Sequence, residues 1–233
     1  MRYADLDPFR HVNNVRYIDF AFEAQGAMID AGQLDGDAVI QCAAVEFLRP
    51  MLPSKRPVTV SSTFDGDVLT QEICSGTPEA WTVYAEVRTT FGPARMALSP
   101  HEGGTVFPLR LRRTDADGSG FVGVAKMFEI VQEGRNLFAS SHRTAMTTGG
   151  VVMGRGEIIF GEPLPWRQEP YPVRTWVSRI GNGSVTIEAE IAEGDTVYVR
   201  STSVQVGFDA TTQKSRKFSE EEKAQFVPFS LPG

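Results

Sequence analysis

Two carboxylates, a histidine and two asparagines crowd the start of the chain. They are Asp5, Asp7, His11, Asn13 and Asn14 in the stretch Arg2-Tyr3-Ala4-Asp5-Leu6-Asp7-Pro8-Phe9-Arg10-His11-Val12-Asn13-Asn14-Val15-Arg16-Tyr17. The asparagines are helix-capping residues, and an apolar helix is expected from 15 to about 31. That order puts Asp7 just before a helix N-terminus, where backbone N–H groups lack partners and the dipole favours negative charge. A carboxylate beside such an end can polarise a carbonyl and activate water. Taken singly, each residue has a plain structural use. Asp7 would stabilise the helix from the turn, Asp5 would bind backbone amides, and Asn13 and Asn14 would fix the helix entry. His11 could carry a proton or simply hold the loop by hydrogen bonds.

The elements that must position these groups follow from patterning. Ile18, Ala21, Phe22, Met28 and Ile29 keep roughly to the helical period, and Phe20 widens the apolar face, so the helix is expected to be buried on most sides. Gly32 and the polar Asp35-Gly36-Asp37 stop it. Strands are expected at 39–48, 57–64 and 81–91, the last with Trp81, Val83, Ala85 and Val87 alternating with polar neighbours. Gly92-Pro93 and then 100–104 read as a linker, dividing the chain into domains 1–100 and 101–233.

After the linker the pattern begins again. Arg112, Asp115 and Asp117 repeat the spacing of Arg2, Asp5 and Asp7 at a shift of 110 positions. An apolar stretch at 121–138 takes the place of the first helix, and 158–164 aligns with 45–51, Pro163 against Pro50. Strands are expected at 173–180, 184–191 and 197–208, with Gly181-Asn182-Gly183 as a turn and Val197-Tyr198-Val199 echoing Val83-Tyr84-Ala85. A strand at 106–111 precedes Arg112, whereas only Met1 precedes Arg2; the first strand is expected to be short, or the natural chain to start further upstream. Ser219-Glu220-Glu221-Glu222 is a capping box for a short surface helix to about Phe226. A duplicated α+β unit results, and one unit alone would leave a sheet face uncovered, so the two are expected to pack as an internal pseudo-dimer.

The pattern D-x-D-x-x-x-H-V-N-N-x-x-Y, from Asp5 to Tyr17 at the mouth of a long helix, resembles the hotdog-fold acyl-CoA thioesterases, the group that includes 4-hydroxybenzoyl-CoA thioesterase. The likeness spans residues 2 to about 23, and Val45-Glu46-Phe47-Leu48-Arg49-Pro50 resembles the family's next strand. It implies a double hotdog, two antiparallel sheets each wrapped around a long helix. It implies hydrolysis of an acyl-CoA thioester, an acyl carrier protein being the other donor. Asp7 would act as general base or as nucleophile, with His11 beside it and the backbone N–H near Asn14 holding the oxyanion. Asn13, Tyr17, Arg10 and Arg49 would meet substrate. The acyl chain would lie beside the helix near Ile18 and Phe22, with the pantetheine arm between the units. A thioester carbonyl is electrophilic and its thiolate leaves readily, so no cofactor or metal is implied.

Each half departs from the family pattern. Arg10 stands where the family has Gly; if that position has positive φ, Arg costs about 1 kcal/mol there and sets a cation at the pocket mouth. The second half keeps Asp117 and Gly120, but Phe121 replaces His and Gly123-Val124 replace the two asparagines. The Asp7 site is therefore expected to be active and Asp117 with Gly120 a vestigial or secondary site. A non-catalytic acyl-binding protein and a dehydratase using His11 with Asp7 on a 3-hydroxyacyl thioester are the alternatives.

Composition removes other classes. The net charge of −6 and the absence of a long basic run argue against nucleic acid; Lys214-Ser215-Arg216-Lys217 reads as a solvated face or a short phosphate contact. No apolar run nears the about eighteen residues of a membrane span. Cys42 and Cys74 read as packed thiols of a cytoplasmic protein. Asp115 to Val122 opens like a calcium loop, but the twelfth position is Lys126 rather than Glu. Substrate is the expected partner, with homo-oligomers of the double-hotdog chain left open.

Overall fold

A computed structural model describes residues 5–7, 11–54, 56–77, 80–142, 150–209 and 211–231. The chain forms two compact units, Met1–Arg95 and Met96–Gly233. In the first, helix α1 (Asn14–Asp30) begins where Asn13, at φ −60° and ψ 140°, accepts the Val15 N–H on Oδ1 at 3.3 Å. Val15, Tyr17, Ile18, Ala21 and Gln25 form its buried side. It is not buried on most sides as expected: one side packs on strands of its own unit, while Glu23, Ala27, Ile29 and Asp30 are exposed. Gly32, at φ +67°, lets the chain turn away.

The first unit's strands are β1 (Val39–Phe47), β2 (Val58–Asp65), β3 (Val68–Ser75) and β4 (Thr82–Gly92). β2 pairs with β3, β3 with β4 and β4 with β1, all antiparallel. In β1, β3 and β4 every second side chain turns inward, and Ala43, Val45, Leu69, Ile73, Ala85 and Val87 are fully buried. β3 escaped the patterning. Its inward row is Leu69, Gln71 and Ile73, and a glutamine in the middle spoils the apolar alternation. The Gly66-Asp67 turn between Asp65 and its partner Val68, with Gly66 at φ +58°, was the available signal.

In the second unit, β5 (Thr105–Leu109) leads to helix α2 (Val124–His142), then β6 (Val151–Phe160), β7 (Tyr171–Ile180), β8 (Ser184–Glu193), β9 (Thr196–Asp209) and the two-residue β10 (Lys214–Ser215). β6 pairs with β9, β9 with β8, β8 with β7 and β7 with β5, while β10 adds to β9. α2 approaches the sheet closely at Gly134, where an added Cβ would sit 2.6 Å from Val173 Cγ1. Phe138 packs with Val177, Val185, Ile187, Phe218 and Phe226.

Several expectations change here. The second helix starts at Val124, not at 121, because Phe121 and Val122 are used in bridges to Pro165 and Ala116. It runs on to His142, whose ring packs against Phe138 and Phe229. The capping box is present: Glu222 N–H donates to Ser219 Oγ at 3.1 Å and Ser219 N–H to Glu222 Oε2 at 2.8 Å, opening α3 (Glu220–Ala224). The end of that segment is no surface helix, since Phe226 is 0% exposed in the core. Nor are residues 100–104 a loose linker. His101 stacks on Trp176 at 4.0 Å, its N–H donates to buried Glu190 at 3.0 Å, and Arg174 donates to Gly103 O at 2.8 Å. Glu190 also pairs with Arg200. The segment is a strap over strands of its own unit. No described helix is long and apolar enough to cross a membrane.

The repeat holds down to single hydrogen bonds. Asp7 N–H donates to His11 O at 2.8 Å, and Asp117 N–H donates to Phe121 O at 2.9 Å. Val12 N–H donates to Met51 O, and Val122 N–H to Leu164 O, each at 2.9 Å. Leu6 bridges Val12 as Ala116 bridges Val122. Both first strands after the helix carry an irregularity, at 40/42 in β1 and at 153/155 in β6.

Candidate active site

The loop ahead of α1 is held shut by its own backbone. Within the Leu6–Val12 bridge, Asp7 N–H donates to His11 O, and His11 N–H donates back to Asp7 Oδ1 at 2.9 Å. Asn13 N–H donates to Asp5 O at 2.7 Å, and Val12 N–H reaches Met51 O beyond β1. Arg16, in the first turn of α1, has Nε 3.9 Å from Asp5 Oδ1 and also pairs with Asp19. Asp5 meets Asn13 through its carbonyl and Arg16 through its carboxylate, while Asp7 is half-buried with its carboxylate turned into the loop. Arg10 lies outside the described residues.

The helix end supplies the electrophilic part. Asn13 caps the Val15 N–H, and among the described residues no acceptor meets the Asn14 N–H. An open N–H at the positive end of a 17-residue helix is a donor for a developing oxyanion. The capping role falls to Asn13; Asn14 is already the first helical residue.

Tyr17 is 2% exposed, its ring set edge-on to Phe47 at 5.3 Å, and its hydroxyl accepts the Met51 N–H at 3.0 Å. Burial pushes that hydroxyl up to about 12, against the Met51 hydrogen bond, and the nearby Asp7 charge adds to the rise. Tyr17 therefore ties α1 to the segment after β1. Arg49, in that segment, is exposed, its N–H donating to Tyr84 O at 3.1 Å. Ile18 is 1% exposed and Phe22 half-buried. Met51 is the residue that patterning passed over. Its carbonyl holds the loop and its N–H holds Tyr17, and its alignment with Leu164 in the repeat was the signal.

In the second unit the carboxylate takes another course. Asp117 is exposed, and its Oδ1 accepts the Ser119 N–H at 2.8 Å and the Ser119 hydroxyl. Those two bonds, the hydroxyl first, hold its carboxyl below the usual carboxylate range. Gly120 sits at φ +86°, the conformation that only glycine adopts without strain. An open pocket of about 700 Å³ in this unit is lined by Phe121, Glu162, Pro163, Pro165, Asp195 and Tyr198, among others, and Asp117 is not among its lining residues. In the repeat, Phe121 replaces His11 and Glu162 replaces Arg49.

Comparison with known proteins adds the following. The model of the thioesterase-like superfamily matches residues 111–226, and that of the acyl-ACP thioesterase C-terminal domain matches residues 1–33. No curated protein matches the sequence. Among solved structures, a Lactobacillus plantarum protein assigned as an oleoyl thioesterase superposes with a TM-score of 0.64 at 12% identity, covering 90% of this chain and 94% of its own. The 12:0-ACP thioesterase of Umbellularia californica gives 0.61 at 12% identity, with 89% and 91% covered. An acyl-ACP thioesterase of Bacteroides thetaiotaomicron gives 0.58 at 11% identity, with 88% and 94% covered. At such identities the likeness is one of fold.

Proposed function

The chain is a thioester hydrolase of the thioesterase-like superfamily, and from that premise we propose that it cleaves acyl-CoA to the free acid and coenzyme A at the Asp7 site. Its fold is the antiparallel-sheet hotdog of that superfamily, and we infer that the two units are two hotdog units in one chain. The observation that carries the reading is the loop that turns Asp7 inward beside a helix whose Asn14 N–H has no acceptor among the described residues.

Asp7 takes a proton from water as the water oxygen adds to the thioester carbon. The carbonyl oxygen becomes an oxyanion against the Asn14 N–H and the helix dipole. When it collapses, the carbon–sulfur bond breaks and the departing thiolate takes up the proton. In the other route Asp7 itself attacks the carbon, the thiolate leaves, and water hydrolyses the mixed anhydride. His11 and Asn13 fix the loop and the helix entry. Arg10 and Arg49 offer cations to the coenzyme phosphates, and Tyr17 positions α1. Asp117 and Gly120 form a secondary site without hydrolysis.

Asp7→Asn tests this directly. Thiol release from acyl-CoA should fall at least a hundredfold with circular dichroism unchanged; undiminished turnover rejects Asp7. Label on Asp7 after a single turnover in ¹⁸O-water, read by peptide mass analysis, identifies an anhydride opened at the Asp7 carbonyl, and trapping of an acyl-Asp7 adduct with hydroxylamine identifies one opened at the acyl carbon; the general-base route gives neither. The second reading, an acyl carrier protein as donor, is favoured by the match of residues 1–33 to an acyl-ACP thioesterase domain. Comparing kcat/KM for one acyl group on the two carriers decides between them.

A further inference from the structure

α1 and α2 each bring one polar side chain toward the strands of their own unit at the same step of the repeat, Gln25 and Arg135, 110 positions apart. In the first unit that side chain is fully answered. Gln25 Nε2 donates to Gln71 Oε1 at 2.8 Å and to Thr89 Oγ1 at 3.0 Å, and Gln71 Nε2 donates to Ala21 O at 3.1 Å and Ser62 Oγ at 3.2 Å. Strand registers identify the counterparts in the second unit. Thr89 faces Ala43 as Ser203 faces Gly156; Gln71 faces Val87 as Ala189 faces Ser201; Ser62 faces Gln71 as Thr175 faces Ala189. The glutamine at the centre of the first network is therefore an alanine in the second unit.

What remains there is a set of poorly answered polar groups. The Arg135 guanidinium reaches Gln132 Oε1 at 3.4 Å and Met153 Sδ at 4.0 Å, both weak partners. Among the described residues no carboxylate forms an ion pair with it. Burial brings the guanidinium down to about 10, with Glu133 opposing, so it stays cationic at neutral pH. Gln205, directly opposite Met153 in the β6–β9 register, is 4% exposed and its Nε2 has no partner among the described residues. Thr175, 0% exposed on the same side of its strand as Val173 and Val177, has an Oγ1 without a partner among the described residues. Buried polar groups in folded proteins are rarely left so, and the part-buried Arg135 cation has no carboxylate to pair with among the described residues.

We propose that Arg135 and the Gln205 amide form an anion site inside the second unit that takes a carboxylate. The guanidinium fork matches the two oxygens of a planar carboxylate, and the amide N–H is a further donor. One guanidinium and one neutral amide balance a single negative charge, which suits a carboxylate better than a phosphate dianion. The site is independent of Asp7, so its test leaves the hydrolysis reading untouched.

Thermal shift and calorimetry with sodium acetate, sodium octanoate and sodium chloride at matched ionic strength test it on the full chain. The wild type should gain Tm with a carboxylate and not with chloride. A rise with acetate identifies a small-acid site, and a rise with octanoate alone identifies an acid with a stem. Arg135→Met should lose at least tenfold in carboxylate affinity while its ligand-free Tm is not lowered, because the cation removed is part-buried and has only weak partners. Should that variant fail to fold, Gln205→Leu reads the same site, with a severalfold weaker carboxylate effect. No Tm gain in the wild type, equal gains with chloride, or unchanged affinity in the folded variants overturns the proposal.

Discussion

Asp7 and Asp117 begin from the same backbone. Each donates its N–H to the carbonyl four residues on, each lies in a loop closed by a bridge, and each loop is clamped to the segment after the next strand. Their carboxylates nevertheless part company. Asp7 accepts the N–H of His11 and is half-buried at the mouth of α1, whereas Asp117 folds back on Ser119 in solvent. The main chain of the motif is thus a structural device that survives in both units. Chemistry depends on what the side chains around it do. Ser119 and Phe121 spend the second carboxylate locally, and the clamp there has Met127 and Leu164 in place of the Tyr17–Met51 hydrogen bond.

The largest effect expected from this contrast is catalytic. Asp7→Asn should lower kcat for thioester hydrolysis by about 10² to 10⁴, and Asp117→Asn should leave it within about twofold, the range of ordinary surface changes. Thiol release on both purified variants measures the ratio. Comparable losses would show that the two turns are functionally alike and that the side-chain difference does not matter.

The comparison also marks what could be read from residues alone. The spacing of Asp5 and Asp7, repeated by Asp115 and Asp117, was legible because short turns are written in local residues and the repeat doubled the signal. The buried rows of the strands were legible wherever inward positions are apolar, as at Ala85 and Val87 of β4. β3 was not, since Gln71 occupies a core position that only a partner on the distant α1 explains. The start of α2 was misplaced because Phe121 and Val122 look like helix residues but pair across the turn. The anchoring of Phe226 and of the 100–104 strap depends on contacts with distant strands, which leave no local trace.

A middle-sized effect sits at the clamp. Tyr17→Phe strips the acceptor from the buried Met51 N–H and should cost about 1–3 kcal/mol in chemical denaturation. Met127→Leu, at the equivalent place in α2, conserves volume and should cost less than about 1.5 kcal/mol. The tyrosine also carries a pH signature. Its folded value, about 12, lies above the ordinary 10, so the neutral form is favoured in the fold. That contribution is fully present below pH 10 and is lost as pH rises to about 12, by roughly 3 kcal/mol in all. Unfolding free energies measured across that range should fall more steeply in the wild type than in Tyr17→Phe. Parallel slopes would remove Tyr17 as the source.

The smallest effect tests the other side of the contrast. Ser119→Ala deletes the hydroxyl that contributes most to holding the Asp117 carboxyl low, leaving the Ser119-position N–H in place. The carboxyl titration of Asp117, followed by ¹³C NMR, should move up toward the ordinary range without reaching it. A depressed carboxyl adds stability that is present above its unfolded value and fades as pH falls through the folded one, so any change belongs on the acid limb. Hydrolysis at neutral pH should be unchanged, because Asp117 is ionised there with or without the hydroxyl. A gain in turnover would mean that Ser119 had been restraining a competent carboxylate, and the second turn would then be a suppressed catalytic site rather than a structural one.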